Sequence, residues 1–219
     1  MALEALIFDL DGTLLDTLPD LVSLVNAIMD ECGYPRHTTE EVLSYIGSGE
    51  RALLRRAAPG KVSEEQLDKM SGMWHSMYPQ FGFRQTAPFP GVEQALADLG
   101  AAGVRLGVLS NKFDAAAREV IEAFFPNVFD LVWGEGPDTP RKPDPTGLLG
   151  MARAWGLPPA HIGLVGDTGG TDMTAACAAG AVPIGVSWGY NSVESLHEAG
   201  ARVVIDSPSE LLALCRSLH

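Results

Sequence analysis

Short apolar runs alternate with helical segments through the second half of this chain. The apolar runs lie at 104–109, 128–133, 162–165, 182–186 and 203–205, and the helical segments at 92–101, 115–125, 146–155, 172–179 and 193–199, with a last helix from Pro208. Runs this short and this apolar are typical of buried parallel strands. The alternation therefore predicts right-handed βαβ units, and hence an α/β fold whose parallel sheet carries helices on both faces.

The first part of the chain divides into a strand and a helical insertion. Residues 3–8 form an apolar run too short for a helix, which predicts a first buried strand of the same sheet. Residues 16–86 carry four helical stretches without a strand pattern, and end in a proline-rich connector. The sequence thus predicts a Rossmann-like core of residues 1–15 and 87–219, and a helical cap domain of residues 16–86 inserted after strand one.

Two carboxylates, Asp9 and Asp11, follow the first strand. Residues two apart in an extended chain point to the same side, and the carboxyl ends of parallel strands face the ligand crevice. Because two close carboxylates resist joint ionisation, we expect a hard cation beside them, Mg²⁺ above all. Gly12 lets the chain turn away, although a purely structural turn stays an alternative. A calcium loop is excluded, since Thr13 and Leu14 stand where that loop needs an acid or amide and then glycine.

Polar residues also follow three later strands. Ser110 and Asn111 follow the second strand, where a hydroxyl and an amide can bind phosphate oxygens. Lys142 lies in a proline-rich loop before a helix, and Asp167 and Asp172 flank a glycine-rich turn. Each has an ordinary alternative: Ser110 as a turn residue, Lys142 as a surface lysine and Asp172 as a helix cap.

In chain order, Asp9-x-Asp11, Ser110, Lys142 and Asp167 resemble the four motifs of the haloacid dehalogenase-like (HAD) hydrolase superfamily, with Gly-Thr-Leu continuing the first motif. The resemblance covers nearly the whole chain, because the four-helix insertion is similar to the cap of the phosphoglycolate phosphatase-like branch. It implies a phosphoric monoester hydrolase that depends on Mg²⁺ and acts on a small phosphorylated metabolite.

The resemblance also implies individual roles. In that family the first aspartate, here Asp9, is the nucleophile that forms an aspartyl-phosphate, and Asp11 is the general acid and base. The implied metal residues are Asp9, Asp11 through its backbone carbonyl, Asp167 and Asp172, and the implied phosphate-binding residues are Gly12, Thr13, Ser110, Asn111 and the catalytic Lys142. The last two acids are five residues apart here, whereas many relatives space them by four. Whether Thr171 or Asp172 completes the metal shell therefore stays open.

A small-residue turn at residues 46–51 separates two of the cap helices. By the same resemblance, Gly47 and Gly49 face the active site and the following helix presents free N–H groups to an anion. Arg51 is then expected to bind a substrate carboxylate, which favours 2-phosphoglycolate. An ordinary connector between helices is the alternative.

Composition narrows the classes of partner. A net charge of −13 argues against nucleic acid, and no apolar run is long enough for a membrane span. We expect a cytoplasmic protein that is a monomer or a homodimer. We expect neither disulfides nor a zinc site, because its three cysteines are far apart in the sequence.

Three alternative functions stay possible on this fold. A β-phosphoglucomutase-like isomerase uses the same aspartyl-phosphate, but such mutases usually carry a histidine soon after the first motif, and residues 18–20 are Leu-Pro-Asp. Another small-molecule phosphatase or pyrophosphatase belongs to the same class. A non-catalytic phosphate-binding regulatory module is the alternative from a different class.

Overall fold

Six parallel strands form one sheet in the computed structural model, which describes residues 3–81 and 84–217. The strands in chain order are β1 (Ala5–Phe8), β2 (Leu15–Asp16), β3 (Ala87–Pro88), β4 (Arg105–Phe113), β5 (Leu131–Glu135), β6 (Ile162–Gly166), β7 (Val182–Val186) and β8 (Val203–Ile205). The sheet has the order β5-β4-β1-β6-β7-β8, and β2 and β3 pair separately. The predicted α/β fold with a parallel sheet is confirmed.

Helices connect these strands. They are α1 (Leu18–Cys32), α2 (Thr39–Tyr45), α3 (Glu50–Ala57), α4 (Glu64–Phe81), α5 (Val92–Ala101), α6 (Asp114–Phe124), α7 (Thr146–Trp155), α8 (Thr174–Ala179), α9 (Val193–Glu198) and α10 (Leu211–Ser217). Short 3₁₀ turns occur at Pro159–His161 and Pro208–Glu210. Helices α1 to α4 lie between β2 and β3 in the chain. Pro79 does not end α4, which continues to Phe81.

The sheet centre is apolar on both faces. Every residue of β1, β6 and β7 is buried, as expected for parallel strands covered by helices. On one face, Ile7 and Leu164 belong to the same buried cluster as Leu148 and Met151 of α7. This packing fixes β1 between β4 and β6, and so fixes the position of the residues that follow β1.

β4, which corresponds to the apolar run 104–109, is longer than predicted. The apolar run indicated an end at Leu109 and a turn at Ser110, Asn111 and Lys112, but β4 extends to Phe113. Its pairing with β5 has a register shift and resumes where Phe113 lies opposite Glu135. The residues of this extension are mostly polar, so they do not continue the apolar run, and the sequence pattern therefore missed it.

The chain forms two compact units. Within the described residues, one comprises 3–15 and 88–217, and the other comprises 16–81 and 84–87. The second unit is helical, and its buried side chains include Val25 and Ile28 of α1, Leu54 of α3 and Met70 of α4. Across the described part of the chain, none of the helices combines the length and hydropathy that a membrane span requires.

Asp20 joins the two ends of the helical unit. It lies in the first turn of α1 and is almost fully buried. Its carboxylate accepts hydrogen bonds from the Gln85 amide at 2.9 Å, the Thr86 amide at 2.7 Å and the Thr86 hydroxyl at 2.8 Å. Hydrogen bonds to a charged acceptor in a buried position are among the stronger ones in proteins.

We predict that Asp20→Ala lowers the free energy of unfolding by roughly 3 kcal/mol, because it leaves buried donors without this acceptor. Urea denaturation followed by circular dichroism measures the change. Asp30→Ala on the same helix is the control: the Asp30 side chain forms an exposed ion pair with Arg36, and its loss should cost less than about 1 kcal/mol. Equal losses of unfolding free energy in the two variants would show that the buried hydrogen bonds of Asp20 do not contribute more than an exposed ion pair.

Candidate active site

The end of β1 places Asp9 at the middle of the sheet's carboxyl edge. The Asp9 amide still donates to the Val165 carbonyl at 2.8 Å, so strand pairing fixes its backbone. The chain then turns back, with Gly12 at a φ of 84° and its amide donating to the Leu15 carbonyl at 2.9 Å. A Cβ at Gly12 would lie 2.5 Å from Asp167 Oδ2. Both the positive φ and this close approach require glycine.

The turn after β6 supplies two more buried carboxylates. Asp167 directly follows β6, and its Oδ2 accepts a hydrogen bond from the Tyr190 amide at 2.7 Å. The sequence predicted a helix from residue 172, but a π-helical stretch at Gly169–Met173 precedes α8. Asp172 lies in this stretch and is fully buried. A π-helical turn inserts an extra residue, which re-aims a side chain and is frequent at functional sites.

The side chain of Asp172 points back toward β6. Its Oδ2 accepts a hydrogen bond from the preceding Thr168 amide at 3.0 Å, whereas a capping side chain would accept from the helix amides that follow. A Cβ at Gly166, the last residue of β6, would overlap the Asp172 carboxyl group. The interpretation of Asp172 as only a helix cap is therefore wrong, and Gly166 makes room for its carboxylate.

Asp9, Asp167 and Asp172 form one acidic cluster. An oxygen from each carboxylate lies within 4.8 Å of the other two. Burial, followed by repulsion from Asp172, raises the pKa of Asp9 to about 8. The same two causes raise the pKa of Asp167 to about 6. The cluster thus resists full ionisation in the absence of a compensating cation.

Lys142 lies within this cluster. Its Nζ is 2.8 Å from Asp9 Oδ1 and 2.7 Å from Asp172 Oδ1, and the residue is 3% exposed. Burial alone would lower the pKa of Lys142, but Asp172 and Asp9 raise it by more, so the ammonium stays charged. The alternative of a solvated surface lysine is therefore wrong.

The donor set of the cluster fits a divalent cation. If all three carboxyl groups are ionised, they exceed the one ammonium by two negative charges in a buried position, and their oxygens are the hard donors that a divalent cation prefers. Of the two candidates left open by the sequence, Asp172 has its side chain in the cluster with Asp9 and Asp167.

The carboxyl end of β4 contributes three polar side chains. Ser110 is buried, and its hydroxyl accepts a hydrogen bond from the Lys112 amide at 3.1 Å. The Asn111 side chain binds the backbone of Lys142. Lys112 Nζ lies 3.0 Å from both carboxylate oxygens of Asp11, with 8% of its side chain exposed. Asp11 therefore points to β4, and its side chain is not part of the three-carboxylate cluster.

The family follows from comparison with known proteins. Residues 6–186 match the family model described as haloacid dehalogenase-like hydrolase. The chain belongs to this family. The HAD resemblance drawn from the motifs is thus confirmed.

Relatives of this HAD hydrolase cover almost its full length. It is 32% identical to the phosphoglycolate phosphatase of Nitrosospira multiformis, over 98% of this chain and 96% of that protein. It is 30% identical to the phosphoglycolate phosphatase of Psychrobacter arcticus, over 95% and 94% of the two chains. A crystal structure described as a predicted phosphoglycolate phosphatase from Haemophilus somnus 129PT has a TM-score of 0.88 and 27% identity, with 96% and 97% covered.

Sequence reasoning missed Lys112 and the loop after β7 in this HAD hydrolase. Lys112 directly follows Ser110 and Asn111, and this position could have indicated a site residue. The three polar residues were instead expected to form a turn. In the loop after β7, the Tyr190 amide binds Asp167, and Trp188 Nε1 donates to the carbonyl of the buried Thr13 at 3.0 Å. A tryptophan and a backbone amide carry no motif, so only the fold could reveal these contacts.

The predicted substrate residues Gly47, Gly49 and Arg51 lie in the helical unit. Both glycines have positive φ, and α3 begins directly after Gly49. The Arg51 guanidinium forms ion pairs with Asp68 at 2.6 Å and Glu64 at 3.1 Å. Arg51 is thus engaged by two carboxylates of its own unit, and its role toward substrate stays a prediction.

We predict that the affinity of the HAD hydrolase for a divalent cation increases as the pH rises through about 6 and then about 8. Because the pKa values of Asp167 and Asp9 are raised in the fold, protons compete with the cation below these values. Without a cation, folding stability depends on pH with the opposite sign. Because the pKa of Asp9 is raised in the folded protein, the free energy of unfolding decreases as the pH rises from the ordinary carboxyl pKa of 3.8 toward about 8.

Thermal unfolding with and without Mg²⁺, at a series of pH values, measures both effects. The increase in Tm caused by Mg²⁺ should grow with pH, and Asp167→Asn should reduce it. Asp98→Asn, at an exposed position on α5, is the control and should behave like the parent. An increase that is independent of pH would contradict the expected competition with protons.

Proposed function

We propose that this HAD hydrolase cleaves small phosphate monoesters, with Mg²⁺ as its cation and an aspartyl-phosphate on Asp9 as its intermediate. The observation that carries the proposal is the buried cluster in which Lys142 bridges Asp9 and Asp172 beside Asp167. A phosphate dianion and a carboxylate nucleophile repel each other, so the main task of such a site is to neutralise charge.

The groups around the carboxyl ends of β1, β4 and β6 have distinct roles in this proposal. Asp9, Asp167, Asp172 and the backbone carbonyl of Asp11 would hold the cation, which supplies positive charge beside the transferring phosphoryl group. Lys142 supplies a second positive charge and holds Asp9 at its Oδ1. Ser110 and the backbone amides near Gly12 and Asn111 are the proposed donors to phosphate oxygens.

The reaction proceeds in two displacements. A carboxylate oxygen of Asp9 attacks phosphorus, the ester P–O bond breaks, and the leaving alkoxide takes a proton from the Asp11 carboxyl group. Asp11, now a carboxylate, then takes a proton from water as the water oxygen bonds to phosphorus. The bond between phosphorus and Asp9 breaks, which releases inorganic phosphate and restores the Asp9 carboxylate. Lys112 Nζ contacts both oxygens of Asp11, so this ammonium lies beside the group that gives and takes the proton.

We predict that Asp9→Asn lowers kcat for phosphate ester hydrolysis by more than about 1,000-fold, the scale of losing a covalent nucleophile. The amide is not a nucleophile but has nearly the same shape as the carboxyl group. Hydrolysis of p-nitrophenyl phosphate with Mg²⁺ measures the rate, and circular dichroism measures folding. Asp98→Asn is the matched control and should retain the parental rate. A folded Asp9→Asn variant with substantial activity would rule out the intermediate on Asp9.

The proposed substrate is 2-phosphoglycolate. Its support is that relatives at 30% and 32% identity, matched over nearly their full length, are named phosphoglycolate phosphatases. We expect kcat/KM for 2-phosphoglycolate to exceed that for hexose phosphates and pyrophosphate. A preference for a hexose phosphate, or its conversion to an isomer, would favour the phosphomutase alternative.

Arg51→Ala tests the predicted recognition of the substrate carboxylate. It should raise KM for 2-phosphoglycolate more than KM for p-nitrophenyl phosphate, which has no carboxylate. Arg55→Ala is the matched control, since Arg55 lies on the same helix and also pairs with Glu64. Equal effects of Arg51→Ala on the two substrates would assign Arg51 to helix packing alone.

A further inference from the structure

Asn111 forms two reciprocal hydrogen bonds with the backbone of Lys142. Asn111 Oδ1 accepts from the Lys142 amide at 2.7 Å, and Asn111 Nδ2 donates to the Lys142 carbonyl at 3.0 Å. This pattern defines the orientation of the side-chain amide, because the reversed orientation would place donor against donor and acceptor against acceptor. The residue is 9% exposed.

These bonds connect a loop to the sheet. Lys142 lies between β5 and α7, in a segment whose described residues form turns and an isolated bridge rather than a strand or helix. Asn111 lies on β4, which pairs directly with β1, the strand that leads to Asp9. The side chain of Asn111 therefore joins the backbone that carries Lys142 to the part of the sheet that carries the nucleophile.

Backbone position matters for Lys142 because its side chain is long and flexible. A lysine loses considerable rotamer freedom when it is buried, and its ammonium gives little directional preference of its own. Yet Lys142 Nζ lies between Asp9 Oδ1 and Asp172 Oδ1 at 2.8 and 2.7 Å. Fixing the Cα position limits where the ammonium can reach, so it favours this bridging position.

We propose that Asn111 is a positioning residue that acts through Lys142. The sequence had indicated Asn111 as a phosphate-binding residue, but the side-chain oxygen and one side-chain N–H are used by the Lys142 backbone. The effect of Asn111 on catalysis rests on the proposed phosphatase function, whereas its effect on the Lys142 backbone does not.

Asn26 provides a matched control elsewhere in the chain. It forms the same pair of bonds with the backbone of His37, at 2.7 and 3.0 Å, and is 8% exposed. Asn26 belongs to the helical unit, and both of these bonds are made to His37 of the same unit. Asn26→Ala therefore removes an equivalent pair of hydrogen bonds and reports the general cost of that loss.

A double-mutant cycle with Lys142→Ala tests the catalytic part. We expect Asn111→Ala to lower kcat/KM for p-nitrophenyl phosphate by about 10- to 100-fold, the range seen for residues that orient a catalytic group. In the Lys142→Ala background the same change should have little further effect, because its target is gone. Asn26→Ala should leave kcat/KM near the parental value in both backgrounds. Full additivity of Asn111→Ala and Lys142→Ala in an active parent would overturn the proposal and indicate that Asn111 acts on substrate directly.

Amide hydrogen exchange at Lys142 tests the structural part without any use of activity. Asn111→Ala should accelerate exchange of the Lys142 amide at least tenfold, and Asn26→Ala should not. Unchanged exchange would overturn the proposal even in an active enzyme. A parent without phosphatase activity would instead refute the proposed function and leave the exchange result to decide the role of Asn111. If Asn111→Ala does not fold, Asn111→Leu serves in both experiments, since leucine has nearly the same shape as asparagine and removes both the acceptor and the donor.

Discussion

Repulsion among three buried carboxylates is the constraint on which this site depends. Asp9, Asp167 and Asp172 bring their oxygens within 4.8 Å of one another, and burial raises the pKa of Asp9 to about 8. Such a cluster is unfavourable by itself, and the ammonium of Lys142 offsets only part of its charge. The fold therefore holds these groups together against their own repulsion. The negative charge that Lys142 does not offset can attract a divalent cation, and this attraction contributes to the free energy of cation binding.

The sheet supplies the rigidity that this arrangement needs. β1 is one of the two central strands and is buried along its whole length, so Asp9 follows a segment with little freedom to relax away from its neighbours. Gly12 and Gly166 remove two Cβ atoms that would otherwise overlap Asp167 and Asp172. Close packing of these carboxylates thus depends on buried apolar strands and on glycines at or just after their carboxyl ends.

The sequence predicted features that repeat or that carry a recognised motif. The βα alternation gave the sheet, and the strand ends indicated Asp9, Ser110, Lys142, Asp167 and Asp172. It did not indicate the extension of β4 to Phe113 or the π-helical stretch at Gly169–Met173, because each depends on tertiary pairing rather than on local periodicity. The pairing of Lys112 with Asp11 was missed for the same reason, since the two residues are 101 positions apart in the chain.

The two lysines give two neighbouring aspartates different surroundings. Lys142 pairs with Asp9 inside the acidic cluster, whereas Lys112 pairs with both oxygens of Asp11. Without these separate partners, carboxylates two residues apart would compete for the same cation and the same proton. Lys112 is carried by β4 itself, but Lys142 comes from a loop and needs Asn111 of the same strand to fix its backbone. The end of β4 therefore sets both charges, one directly and one through a side-chain amide, which makes this strand end as important to the site as β1.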